Sequence, residues 1–484
     1  MNDRIVVALQ SPIVGPPQFY LLEPDTHDAA GQPLQLTLDA VKNLTELAGA
    51  PSLDPAQDAM EAFGTALYAQ LSAHPAIKDS VLPLLHMNPP QLEPFYLYFQ
   101  HRMQSIEELP WEALSAPDVG YLAQNRDFSM ARMLNTNSTK SEWLFEPPLK
   151  IAAVLGAGGD KDERIGGAEQ WAKLWKAVNE SKLPIRLMVL TCELALRNKI
   201  NKTGAAAAKQ SAGALQVTAH LINDRDELFA QIQQFGPHIL HFFCHGAATS
   251  KPQLQVASYK DWETDAPGSI LIEGEQLKQN ADLEGNIWLV ILNCCETAKG
   301  GPGNSSLSMP VACNLVGGGI PVAVGMRERI TGEFANTFCG LFYQSLLTEL
   351  RLRLEEARKT GSTDVHWACS LFKVRGSLYE KSKADKQWTI PVMHTRLKRF
   401  QLKLNPALVN PALVNPVPAS PAAGGPAAEP TLPATASGLS RRDIHEYGQE
   451  LLQLLEDVKL YDHIGSVVGI VKQRTAEIKQ VLKS

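Results

Sequence analysis

The chain has 484 residues, more than one hydrophobic core ordinarily supports, and its net charge of −6 offers no global positive field to nucleic acid or anionic lipid. It opens without the apolar run and small-residue cleavage site of a secretory signal, and no stretch reaches the roughly 18 successive apolar residues that span a bilayer. A soluble, cytoplasmic protein with no nucleic-acid or membrane partner is expected, and its seven scattered cysteines form no paired framework, so reduced thiols are expected too.

Residues 1–140 read as a smaller α+β region abutting a main sheet. They include a helical stretch at 56–73, an apolar run at 95–99 and the phrase Leu109-Pro110-Trp111-Glu112-Ala113-Leu114. Beyond them, apolar runs at 150–155, 185–190, 238–244, 287–294 and 319–324 alternate with helical patterns at 168–181 and 224–234, the second opened by Asp224 as an N-cap. That alternation predicts an α/β fold, a mainly parallel sheet flanked by helices. Residues 405–437 then hold eight prolines and one charged side chain, Glu429. Prolines at that density remove backbone donors and favour an extended spacer. After it, Ile444, Tyr447, Leu451 and Leu455, and later Ile464, Val467, Val468 and Val471, recur at helical spacing. A helical hairpin that short buries little by itself and is expected to lean on a partner or a second copy.

Two of the apolar runs end in reactive residues, one in Phe243-Cys244-His245-Gly246 and the other in Asn293-Cys294-Cys295-Glu296-Thr297. Alone, a strand-end cysteine is usually buried and inert. The carboxyl ends of parallel strands face one crevice, however, so these two ends are expected to meet. Thiolate is the reactive form of cysteine, and a nearby imidazole accepts the thiol proton or, once charged, holds the thiolate. Gly246 admits the close approach of a carbonyl, and its amide and that of Cys295 are candidates to donate to a developing oxyanion. Zinc held by Cys244, His245, Cys294 and Cys295 is disfavoured, because adjacent residues in an extended segment point to opposite faces and structural zinc sites prefer spaced pairs. No metal or other cofactor is expected. His241 shares the parity of Ile239 and Phe243 and reads as an inward-facing strand residue, not a second base. The loop at 156–167 lacks the register of a phosphate cradle and carries three acids, Asp160, Asp162 and Glu163.

With those residues in place, the chain resembles a known family. The segment at 289–300, centred on Cys294-Cys295-Glu296-Thr297, resembles the catalytic-cysteine motif of CHAT domains, caspase-like peptidases related to separases, and 239–246 resembles their catalytic-histidine motif. Residues 309–342, Gln387-Trp388-Thr389-Ile390-Pro391-Val392 and the Leu109 to Leu114 phrase with Gly120-Tyr121-Leu122 resemble further parts of the family in the same order. The resemblance covers most of Phe95 to Met393 and implies a lead-in region at 1–140 and a caspase-like peptidase domain at 141–404; composition and spacing add a Pro/Ala-rich linker at 405–438 and a small helical module at 439–484, adaptor-like by family analogy. The family's cysteine stands immediately before the Glu-Thr pair and its histidine before a glycine, which implies Cys295 and His245 as the catalytic dyad. Cys294 occupies a place where a small residue is common. In caspase-like peptidases the first crevice loop helps form the pocket for the residue preceding the cut, so Asp160 and Asp162 are candidates to favour a basic side chain; Arg327 and Arg329 are equally candidates to favour an acidic one. The resemblance implies a cysteine endopeptidase that cleaves a protein partner, with the terminal helices recruiting an adaptor in a bacterial defence or signalling pathway. A caspase-like scaffold with dispensable catalysis is the main alternative, and a hydrolase of small esters or amides the third.

Overall fold

Strands rich in Val, Ile, Leu and Ala, with no polar face, belong where both sides of a sheet are covered. In the computed structural model such strands form the centre of a twelve-stranded sheet. The structure describes residues 5–10, 18–22, 29–49, 58, 60–79, 95–99, 104–117, 119–124, 129–134, 136, 140–159, 165–247, 251–280, 286–300, 309–381, 385–396 and 399–405. Two compact units part at Asn415 and Pro416, and the second, Pro416–Ser484, which contains the expected helical module at 439–484, lies outside the described residues.

The strands that matter for the site are β1 (Leu149–Leu155), β2 (Ile185–Thr191), β3 (Leu215–Leu221), β4 (Ile239–Phe243), β5 (Leu289–Leu292), β6 (Val322–Met326) and β7 (Pro391–Arg396). They stand in the order β3-β2-β1-β4-β5-β6-β7, parallel from β3 to β6, with β7 antiparallel to β6. The order reverses between β1 and β4, which makes the space above their carboxyl ends the crevice of an open sheet. β3 was not foreseen. Its buried Leu215, Val217 and Ala219 alternate with exposed Gln216, Thr218 and His220, a weaker signal than an unbroken apolar run. The expected strand at 319–324 begins later, at Val322, because Pro321 has no amide to give to a ladder.

Alternation along each strand assigns side chains to two helical layers. Ile151, Ala153, Ile239, Leu289, Ile291 and Val324 pack with Trp171 and Leu174 of α1 (Gly167–Glu180) and, further along the chain, with Phe338 and Phe342 of a long helix at Gly332–Thr360. Ala152, Val154, Leu240, Phe242, Val290 and Leu292 pack with Phe229 and Ile232 of α2 (Arg225–Phe235) and Val311 and Leu315 of α3 (Val311–Gly317). The Asp224 cap of α2 is in place, its Oδ1 accepting from the Glu227 amide at 2.8 Å.

Most described strands of the amino-terminal region extend the main sheet, and Ser115–Ala116 and Gly120–Tyr121 pair with each other as a small antiparallel ribbon. The strand Met130–Leu134 pairs in parallel with β7, Phe95–Phe99 pairs with that, and Ile5–Gln10, Gln18–Leu22 and Ala29–Gln35 carry the same sheet to its far edge. The lead-in phrase is anchored by charge. Glu112 is fully buried and takes two bonds from Arg132, at 3.1 and 2.9 Å. Burial pushes its carboxyl up, but Arg132, with Arg375 and Arg327 behind it, outweighs that and holds it below the ordinary value. Glu112→Ala leaves the buried Arg132 guanidinium without its carboxylate, so about 3–5 kcal/mol of stability is expected to be lost, read as a drop in the denaturation midpoint. The same stabilisation is present above the unfolded carboxylate pKa and falls away as pH drops through the lower folded value. Among the described residues no helix is long and apolar enough to cross a membrane.

Candidate active site

β4 and β5 lie side by side with Phe242 level with Leu292. Continuing that register sets Cys244 level with Cys294, and His245 level with Cys295. Immediately past β4 the chain forms a short strand, His245–Ala247, which pairs antiparallel with Gln253–Val256. Gly246 is required there by contact: a Cβ at this position would stand 2.2 Å from the Cys295 carbonyl oxygen and 3.3 Å from the Cys294 Cβ. The two strand ends therefore touch through backbone.

The imidazole of His245 reaches across the switch point to β1. Its Nε2 donates to the Gly158 carbonyl at 3.0 Å; a carbonyl only accepts, so Nε2 carries a proton and Nδ1 is the position left to take one. Gly158 itself sits at φ +42, and a Cβ there would lie 2.4 Å from the Ala257 Cβ, so glycine is what lets this turn present its carbonyl.

Cys295 is the one cysteine of the seven that is not buried. Its Sγ accepts from the Ile330 amide at 3.5 Å and donates to the Ile330 carbonyl at 3.6 Å. Among the described residues His245 and Cys295 each bond backbone of a flanking loop, not one another. Catalytic hydrogen bonds of unliganded sites commonly tighten only when substrate arrives. The turn after the thiol is held firmly. Glu296 adopts φ +54, which is unusual for a residue with a side chain, and its amide donates to Glu328 O at 3.2 Å. Thr297 Oγ1 donates to Leu292 O (3.2 Å) and Cys294 O (3.0 Å) and accepts from the Met326 amide (3.0 Å). One hydroxyl thus ties β5, the cysteine turn and the end of β6 together.

Of the other expected site residues, Asp160 and Asp162 lie outside the described residues. Arg327 is buried and bonded inward. It is 7% exposed, with Nη1 donating to Glu108 O at 3.3 Å, Nη2 donating to Thr389 Oγ1 at 3.0 Å and a pair to Glu328 at 2.9 Å, so its charge is directed into the protein. Arg329 is the exposed one, 3.8 Å from Glu296. His241 is fully buried, 2.9 Å from Gln170 Nε2, and burial drives its pKa down to about 3, which keeps it neutral. Cys244 and Cys294 pack into the layer of Leu240 and Phe242. Among the described residues no group of three or more His, Cys, Asp or Glu is disposed to hold a metal ion. Sequence reasoning did not single out the Gly158 carbonyl, Thr297 or Ile330. The first and last act through backbone and carry no side-chain signature, whereas Thr297 was visible as half of the Glu-Thr pair.

The resting thiol is protonated more firmly than a free one. Burial raises the Cys295 pKa, the Ile330 amide works against that, and the neighbouring Cys294 and Glu296 add to the rise. Alkylation of Cys295 is therefore expected to accelerate with pH through a midpoint above the ordinary thiol value. Mass-resolved labelling over a pH series checks this; a plateau already reached near neutrality would mean a preformed thiolate and imidazolium pair instead.

A mainly parallel sheet that brings a histidine and a partly exposed cysteine to adjoining strand ends is the arrangement of a caspase-like peptidase fold. The chain matches the CHAT domain over residues 61–362, more than half its length, and it belongs to the CHAT-domain family. No curated protein matches it. Among solved structures it is similar to separase from Saccharomyces cerevisiae in two complexes with securin, at 12% identity with TM-scores of 0.34 and 0.39, over 70% and 83% of this chain. A complex of Porphyromonas gingivalis RgpB pro- and mature domains matches at 9% identity, TM-score 0.37, over 77% of this chain and 76% of that one. The chain spans 17% and 30% of the two separase chains.

Proposed function

We propose that the chain is a cysteine endopeptidase that cuts a protein partner through His245 and Cys295. The observation that carries this reading is the setting of the only unburied thiol, which lies at the strand end next to a histidine whose Nε2 is already fixed on Gly158. With Nε2 occupied, Nδ1 takes the Cys295 proton as Sγ attacks the scissile carbonyl. The amides of Gly246 and Cys295 are the donors assigned to the oxyanion. His245 then returns the proton to the leaving amine, a thioester remains on Cys295, and water activated by the same imidazole releases the acid. Apart from substrate and water, the steps are written with groups of the protein itself.

The helical module at 439–484 is assigned to recruitment of substrate or adaptor, and a bacterial defence or signalling setting follows by family analogy only. Incubating full-length protein with a peptide library and with candidate protein partners, then mapping every new terminus, tests the reading. Cuts that vanish in Cys295→Ala support it; a partner bound without any cut favours the scaffold, and turnover of small esters with intact peptides favours the small-substrate hydrolase.

A further inference from the structure

Directly behind the dyad lie two more thiols. Cys244 precedes His245, Cys294 precedes Cys295, and their Sγ atoms stand 3.3 Å apart. They are 6% and 1% exposed, among apolar neighbours that include Phe242, Leu254 and Leu292. Packing alone does not ask for sulfur on both sides, since the rest of this layer is filled by aliphatic and aromatic side chains such as Val290, Leu292 and Phe242. What two facing thiols have in common is chemistry open only to a pair.

We propose that Cys244 and Cys294 are a modification site, closed to an intramolecular disulfide by a hydroperoxide, and that the closed bridge displaces His245 from Cys295. The second half rests on the peptidase reading above. Cys244, the less deeply buried residue of the two, attacks a peroxide oxygen through its sulfur; an S–O bond forms, the O–O bond breaks and one water leaves, giving a sulfenic acid. Cys294 sulfur then attacks the Cys244 sulfur, losing its proton as the S–S bond forms and the S–O bond breaks with loss of a second water. In sum, two thiols and one hydrogen peroxide give one disulfide and two waters.

The bridge must move the dyad because the strand ends have no slack. A disulfide is about 2.05 Å long, so the sulfurs close by about 1.2 Å from their 3.3 Å separation. Two residues past Cys244, Gly246 already lies so near the Cys295 carbonyl that a Cβ would fall 2.2 Å from it. Contraction at 244 and 294 is therefore taken up by rotation of the peptides that carry His245 and Cys295. Displacements of about an ångström at a reacting centre cost on the order of a hundredfold in rate.

The test uses full-length protein, reduced, treated with hydrogen peroxide, then unfolded, alkylated and digested. A peptide pair joined through Cys244 and Cys294, lighter by two hydrogens and parted by dithiothreitol, is expected; Cys295→Ser is treated in parallel so that Cys294 is the sole thiol of its strand end. Rate is read per remaining free Cys295 thiol, both as peptide cleavage and as alkylation of Cys295 itself. Bridged protein is expected to fall roughly tenfold to a hundredfold on both and to recover on reduction, while Cys294→Ala and Cys244→Ala keep their rate per free Cys295. If Cys244 and Cys294 both stay alkylatable after Cys295 is consumed, the site is refuted. A complete bridge that changes neither readout refutes the displacement. Reduced protein that cuts nothing would count against the peptidase reading alone, since the bridge and the alkylation rate are measured without a substrate.

Discussion

Cys295→Ala is expected to bring cleavage to background, a loss of about 10⁴-fold or more, while Cys294→Ala keeps most of it. The two sulfurs are neighbours in sequence and opposites in setting. Cys295 is the partly open thiol, seated between the amide and carbonyl of Ile330 at the crevice. Cys294 is 1% exposed and packs in the layer of Phe242 and Leu292, where burial and the adjoining Cys244 thiol push its pKa up. A substrate carbonyl has access to the first, and the second holds its proton. Loss of one buried sulfur from that layer costs on the order of 1 kcal/mol, which lowers stability without removing the nucleophile. The comparison is made as kcat/KM on a mapped substrate, with denaturation curves to show that both variants fold. An inactive Cys294→Ala beside an active Cys295→Ala would place the nucleophile one residue earlier.

Legibility in the sequence followed burial. The runs that became β1, β2, β4 and β5 are apolar on both faces, so length and flanking helical patterns identified them, and the two strand ends that carry His245 and Cys295 could be expected to adjoin. β3, with an alternating pattern at the sheet edge, carried too little apolar signal. Arg327 shows the limit for charge: its residue type does not announce that its guanidinium is buried and bonds Glu108 O and Thr389 Oγ1. The Glu112 network was hidden for a related reason, since Glu112, Arg132 and Arg375 are far apart in the chain and meet only once the amino-terminal strands have joined the sheet. The partner that orients His245 is a backbone carbonyl, which no residue type announces.

Gly246→Ala is expected to be nearly as damaging to activity as loss of a dyad residue, although it removes no chemical group. The amide assigned to the oxyanion stays, and so do His245 and Cys295. What changes is space: the new methyl would stand 2.2 Å from the Cys295 carbonyl, 3.2 Å from the Thr297 Cγ2 and 3.3 Å from the Cys294 Cβ. A backbone oxygen cannot swing aside like the end of a side chain, so relief requires the two strand ends to part by about an ångström, and a shift of that size costs about a hundredfold in kcat/KM. Thr297 resists the parting, because its hydroxyl ties the same turn to Leu292 O, Cys294 O and the Met326 amide. The methyl is therefore also an overpacking change of about 1–3 kcal/mol, seen as an earlier unfolding transition. Gly376→Ala is the matched control, since a Cβ there meets nothing within 4 Å and its helix, Phe372–Lys381, gains the better helix former. That variant should keep full activity and unfold no earlier than wild type. Full activity in Gly246→Ala would show instead that the strand ends are free to separate, and that the contact seen between them does not set the geometry of the dyad.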